Sequence, residues 1–191
     1  MNMNRNRGFS LIEILITIVI LMVGLLGLAG LQGRALTSQM ESYQRSQALI
    51  LLKDMGDRIG ANRSNAAAYI TNASGVTPVP RGTGYNGSSL QDCSGMSGSN
   101  LDLCEWHNAL LGSAEVQSGV GNVGAMVGAR GCVYQFTAPA SGVAARYMVA
   151  VAWQGLNRTK APEIDCGEDA YGNDALRRVV TLPITIADLG D

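Results

Sequence analysis

The chain has 191 residues, 47% of them hydrophobic and 15% charged, which suits one globular domain with an appendage and excludes two full domains. Its 14 basic residues face 15 acidic ones for a formal charge of −1, so the chain as a whole lacks the basic excess of a nucleic-acid binder. The 24 glycines approach twice the ordinary share of roughly 7%; without a G-X-Y period they exclude collagen and imply extensive loops.

The first element is the run Ile14 to Gly33, 20 residues without a charge and with only Thr17 and Gln32 as polar side chains. At about 1.5 Å per residue it spans roughly 30 Å as a helix, the thickness of a bilayer's hydrocarbon core. The run therefore reads as a single membrane span. Arg5 and Arg7 precede it, and although Arg34 and Arg45 follow, the short basic leader is expected to keep the N-terminus cytoplasmic and send everything after Arg34 across. A secretory signal peptide would have a shorter apolar stretch and an A-x-A-like cleavage site. Glu13 is the unusual residue, because an acidic group at the bilayer centre costs about 2.5 kcal/mol or more. It needs a partner, or else it sits among lipid headgroups at the start of an uncleaved signal anchor, favoured there by the helix dipole.

The stretch Arg7-Gly8-Phe9-Ser10-Leu11-Ile12-Glu13 resembles the leader and cleavage site of type IV prepilins. The resemblance implies a peptidase that cuts after Gly8 and methylates the new N-terminus at Phe9, with Glu13 serving assembly. It divides the chain into a prepilin leader over 1–8, a transmembrane and assembly helix over 9–33, and a periplasmic head over 34–191. Loss of Arg5 and Arg7 would leave 12 basic residues against 15 acidic ones, a net −3. This N-terminal quarter is shared by major pilins, minor pilins and secretion pseudopilins.

Beyond the span, Leu36, Met40, Tyr43, Leu51, Met55 and Ile59 recur at steps of three, four or their multiples, with Arg45, Lys53, Asp57 and Arg58 elsewhere around the helix. This predicts an amphipathic continuation to about Gly60 and a helix of about 50 residues from Phe9, near 75 Å at helical rise. Its first half must find partners outside this chain. Gly24, Gly27, Gly30 and Gly33 recur every third residue, each costing about 1 kcal/mol of helix propensity. Close backbone approach between membrane helices would explain them; so would simple tolerance of glycine in membrane spans; and the resemblance implies a third reason, a segment that stretches or unwinds as subunits pack.

Residues 72 to 131 hold 12 glycines and read as loops around one helix, Asn100 to Leu111. Ser99-x-x-Asp102 resembles a capping box, Leu103, Trp106 and Leu110 share a face, and Gly112 follows as a stop. Three alternating patterns then predict strands around Cys132–Phe136, Tyr147–Trp153 and Val180–Ile186, an antiparallel sheet; because Pro183 cannot donate to a ladder, the last strand is an edge or Pro183 points its missing donor outward. The long helix should lay its apolar stripe on this sheet, giving an α+β fold. Leu101-Asp-Leu-Cys-Glu-Trp106, Val151-Ala-Trp-Gln-Gly-Leu156, Cys166-Gly167, Tyr171-Gly172 and Arg177-Arg-Val-Val180 are similar to segments of PilV-type minor pilins.

Four cysteines in a segment outside the cytoplasm suggest two disulfides, with three possible pairings. Cys93 and Cys104 are separated by ten residues of glycine-rich loop, so we pair them, which leaves Cys132 with Cys166. Zinc binding would need C-x-x-C spacing and more than one histidine. His107, the only histidine, reads as a solvated helix residue, since no second base or serine elbow accompanies it. Gly82 to Gly87 and Gly119 to Gly124 match G-x-G-x-x-G without the strand, helix and distant acid of a nucleotide site. Asp165, Glu168, Asp169 and Asp174 read as a solvated acidic loop rather than a calcium site, the EF-hand spacing being absent. Arg177 and Arg178 beside it could contact phosphate, but nucleic acid is an unlikely partner.

The expected function is that of a non-enzymatic minor pilin without cofactor or metal, stored in the inner membrane and inserted into a type IV pilus or its initiating tip. The resemblance implies other major and minor pilins, the prepilin peptidase and the inner-membrane assembly platform as partners. Two alternatives stay open: a type II secretion pseudopilin, and a tip adhesin or DNA-binding module that uses the 72–131 loops or the arginine pair.

Overall fold

The computed structural model describes residues 9–71, 79–113, 116–117, 121–122 and 126–187. Contacts divide the chain into two compact units that meet in sequence between Met40 and Glu41. Helix α1, Leu11–Ala61, belongs to both. It begins two residues later than the expected start at Phe9, because the carbonyl of Ser10 already accepts the N–H of Glu13 at 3.0 Å and closes the first turn.

In the first unit the side chains of α1 are exposed almost throughout. In the second unit α1 buries Gln44, Ala48, Leu52, Met55 and Ile59, residues three or four apart on one face. This corrects the expected stripe. Met55 and Ile59 lie in the core and Leu51 packs beside it, whereas Leu36, Met40 and Tyr43 are exposed. A helical period tells which side chains share a face; whether that face is covered depends on residues far away in sequence.

After α1 a 3-10 segment, Arg63–Tyr69, turns the chain and buries Tyr69 completely. Strand β1 is the dipeptide Arg81–Gly82, followed by a 3-10 turn at Tyr85–Ser88. Helix α2 spans Gly98–Leu110 and buries Leu103, Trp106 and Leu110. Its N-cap is Ser97 rather than the expected Ser99, and Asp102 caps nothing because it faces Arg58 and Tyr69. Gly112 follows with φ of 79°, the left-handed conformation that ends helices.

Strands β2, Val116–Gln117, and β3, Gly121–Asn122, form a small antiparallel pair. The main sheet contains β4, Arg130–Thr137, β5, Ala145–Gln154, and β6, Arg177–Ile186, in the order β1-β4-β5-β6 with every pair antiparallel. Val133 stands opposite Val149, and Val149 opposite Leu182. Strand β6 is an edge, and Pro183, paired in register with Met148, occupies a position where a missing donor can be tolerated.

Alternation along these strands makes two cores. One sheet face places Val133, Tyr147, Val149, Val151 and Trp153 against the buried stripe of α1 and the apolar face of α2. The other gathers Cys132, Tyr134, Met148, Ala150, Ala152 and Cys166 under the loop that follows β5. Two glycines set the distances in the first core. A Cβ at Gly131 would come within 2.2 Å of the Trp106 ring, and one at Gly56 within 2.7 Å of Leu182 Cδ2. Trp106 is anchored as well as packed, its indole N–H donating to the Leu51 carbonyl at 2.9 Å.

Candidate functional site

The first unit offers an unbroken apolar surface. Ile14 to Gly33 carries no charge, and side chains that point in every direction around the helix, among them Ile18, Val19, Leu21, Val23 and Leu26, are exposed. The hydroxyl of Thr17, the one hydroxyl in the run, donates back to the Ile14 carbonyl at 2.8 Å and so presents no unmet donor. Alanine-sized additions at Gly24, Gly27, Gly30 and Gly33 would meet nothing within 4 Å. Contacts with the described residues thus do not require these glycines. Glu13 lies in the first turn of α1, where the unpaired backbone N–H groups favour a carboxylate, and Phe9 is exposed just ahead of it. Gly8 and the rest of the leader lie outside the described residues.

The second unit is a head held by charge as well as by its cores. Arg58 on α1 donates to Asp54 at 3.1 Å, to Asp102 at 3.0 Å and to Glu105 at 2.6 Å. Burial pulls the guanidinium's pKa down, but the hydrogen bonds to Glu105, Asp54 and Asp102 outweigh it and hold the group above its ordinary value. Tyr69 donates to the same Asp102 and accepts from Asn62 at 3.1 Å; burial, then the bond to Asp102, pushes its phenol up. Arg58 thereby pins α2 to α1, and Tyr69 joins the 3-10 segment to the same carboxylate of α2.

Two disulfides close loops in the head, Cys93 to Cys104 and Cys132 to Cys166. The second joins β4 to the loop after β5, and both of its sulfurs are buried in the second core. That loop is less solvated than its composition implies. Asp165 accepts from Tyr134 at 2.6 Å, where burial and this bond raise the phenol's pKa, and Asp174 accepts from Arg177 at 2.8 Å, which holds the carboxyl below the ordinary range. Glu168 and Asp169 are exposed.

The arginine pair is not a phosphate site. Arg177 is 1% exposed and donates to Asp174 and to the carbonyls of Pro162, Ile164 and Cys166. Arg178 donates to Thr159 at 2.7 Å, to the Asn157 carbonyl at 2.6 Å and to Glu41 at 3.4 Å. Both are spent on folding the loop between β5 and β6, whose partners are backbone carbonyls that no sequence pattern announces. His107 is likewise internal. It is fully buried, accepts the Gly82 N–H at Nδ1 at 2.9 Å and, through Nε2, meets the Ser89 carbonyl at 2.9 Å. With Nδ1 accepting, Nε2 is the donor. The imidazole therefore pins β1 and Ser89, the residue after the 85–88 turn, to α2. This bond also gives the Gly82 to Gly87 segment a structural use; most of Gly119 to Gly124 lies outside the described residues.

A 51-residue helix with an apolar first half, followed by a four-stranded antiparallel sheet, defines an α+β pilin-like class. Residues 3–29 match the family model of the prokaryotic N-terminal methylation motif, and residues 30–99 match that of type IV pilin Tt1218. These adjoining matches support membership of the type IV pilin family, processing by a prepilin peptidase and association with pilus components. The apolar helix and the leader motif fit anchoring in the inner membrane. No curated protein and no solved structure matches the chain.

Proposed function

We propose that this protein is a minor pilin of the PilV type, a structural subunit without enzymatic activity, cleaved after Gly8 and methylated at Phe9. It waits in the inner membrane with its head in the periplasm, until the assembly platform moves it into a pilus or its initiating tip among other major and minor pilins. The observation that supports this reading most is the surface of Ile14 to Gly33, exposed and apolar on every side and preceded at once by Glu13.

Lipid and the interior of a helical fibre are about equally apolar, so these side chains hold α1 in either setting without favouring one over the other. What discriminates is close packing and charge. Glycines without neighbours in this chain allow another backbone to approach. The chain's own methylated Phe9 amine is available to the Glu13 carboxylate in either setting, whereas the amine of a neighbouring subunit is a cation that only the packed fibre adds. In a dry helix bundle an unpaired carboxylate is costly and a complementary amine fixes axial register.

The test is co-purification. With the assembly platform active, the protein should be found by immunoblot in sheared pili; recovery with a type II secretion channel and absence from pili would assign it to the pseudopilins instead.

A further inference from the structure

A cavity of about 240 Å³ opens in the head beside the Cys93–Cys104 bridge, lined by Arg81, Tyr85, Gln91, Met96, Asn100 and Leu103 together with Cys104. Its walls are fixed from several sides. The bridge ties the 91–96 loop to α2, and Asn108 clamps Gln91 by accepting its N–H at 2.8 Å and donating to its carbonyl at 2.9 Å. The Arg81 guanidinium lies 4.2 Å from the centroid of the Tyr85 ring, which stands edge-on to the buried His107. A site held this way loses little freedom on binding.

The side chains of Arg81, Gln91 and Asn100 make no hydrogen bond with the described residues. Arg81 makes no ion pair among the described residues, and its Nε is buried without a hydrogen-bond partner. Asp92 accepts the Ser94 N–H at 2.9 Å, and Asp102 is engaged with Arg58 and Tyr69. A half-buried cation with no ion-pair partner among the described residues suits an anion brought from outside. Stacking on Tyr85 occupies the guanidinium's face and, with Nε buried, leaves the terminal amino groups for a carboxylate. The side-chain amides of Gln91 and Asn100 each offer a donor and an acceptor, which match hydroxyl groups, while Met96 and Leu103 supply an apolar wall. The volume falls below the 300 Å³ or more of pockets for larger ligands, and so fits one small ring.

We infer that this cavity binds a single acidic sugar unit of the uronate type, with its carboxylate on Arg81, its hydroxyls on Gln91 and Asn100, and its apolar ring face against Met96 and Leu103. The cavity is lined by residues of the head alone. It would let the head engage acidic polysaccharide.

Ligand-observed NMR with the full chain in detergent micelles tests this, using D-glucuronate, D-glucose and acetate as probes. Glucuronate should saturate in the millimolar range, with glucose and acetate at least about tenfold weaker, a difference of about 1.4 kcal/mol. Arg81→Gln should weaken glucuronate by at least the same factor. Because that change also removes the stack on Tyr85, Asn100→Ala serves as the second variant; it should weaken glucuronate severalfold, leave acetate unchanged and keep the thermal midpoint. Equal binding of glucose and glucuronate, equal binding of acetate and glucuronate, or wild-type glucuronate affinity in Asn100→Ala would each overturn the proposal.

Discussion

The two stretches of α1 obey the same local rules and yet differ in what surrounds them. From Leu11 to Met40 hydrophobic side chains point in all directions and stay exposed; from Glu41 to Ala61 a single stripe is buried while Lys53, Asp57 and Arg45 occupy the rest. A one-sided stripe is satisfied by one sheet. A surface that is apolar all round demands an environment that is apolar all round, which a head of about 150 residues does not supply but a bilayer or a bundle of like helices does. The contrast separates residues that build this molecule from residues that serve its partners.

That contrast should break most visibly at Glu13. Glu13→Ala removes a charge that the head does not use, so cleavage, membrane insertion and head unfolding should stay as in the wild type. If the carboxylate is buried against an amine in the fibre, its loss costs about 3 kcal/mol, on the order of a hundredfold in incorporation. Immunoblots of sheared pili at matched membrane levels read this directly, and equal incorporation would reduce Glu13 to a headgroup contact.

The opposite behaviour is expected inside the head. Replacing Cys132 and Cys166 by serine opens a loop with a sequence separation of 34 residues and should cost about 3 to 4 kcal/mol by the loop-entropy relation, seen as a lower denaturation midpoint. Glycines sharpen the comparison on a smaller scale. Gly131→Ala drives a methyl into the Trp106 ring and should cost about 1–3 kcal/mol of head stability, whereas Gly27→Ala meets nothing and should leave the head's midpoint where it was. A reduced recovery of Gly27→Ala in pili, with an unchanged head, would show that the glycine serves helix–helix approach.

Titration gives the smallest effect and again singles out the head, since Ile14 to Gly33 has no ionisable side chain. Burial pushes Tyr171 up to about 12, with its hydroxyl donating to the Gly128 carbonyl at 2.9 Å. Its stabilising contribution is complete below the unfolded value near 10 and is lost as pH rises toward 12. Asp174 moves the other way. Its contribution is present above the unfolded value of 3.8 and is lost as pH falls through the lower folded value set by Arg177. Denaturation midpoints across pH should therefore form a plateau that drops at both ends, and Tyr171→Phe should flatten the alkaline drop.

What the sequence reveals follows the range of the interaction. The apolar run, the three main strands and the face of α2 rest on periodicities within one element, and all are legible without the structure. The bridge between Cys93 and Cys104 is suggested by a short glycine-rich spacer. Contacts set by distant backbone are not legible. Gln44 and Ala48 belong to the buried stripe although neither scores as strongly hydrophobic, whereas Leu36, Met40 and Tyr43 fit the period and remain exposed. His107 looks like a surface residue until Gly82 and Ser89 are brought to its two nitrogens, and Arg177 resembles a phosphate ligand until three carbonyls surround it. Strand β1 is two residues long, too short for any alternation to show. Arg81 belongs to no motif, and only the fold shows that it has no ion-pair partner among the described residues.

Whether the apolar helix belongs to a processed subunit or to a permanent anchor is decided by the intact mass of the protein extracted from membranes with active prepilin peptidase. A processed subunit begins at Phe9 and is heavier by one methyl group; a chain that still begins at Met1 would make the helix a permanent anchor.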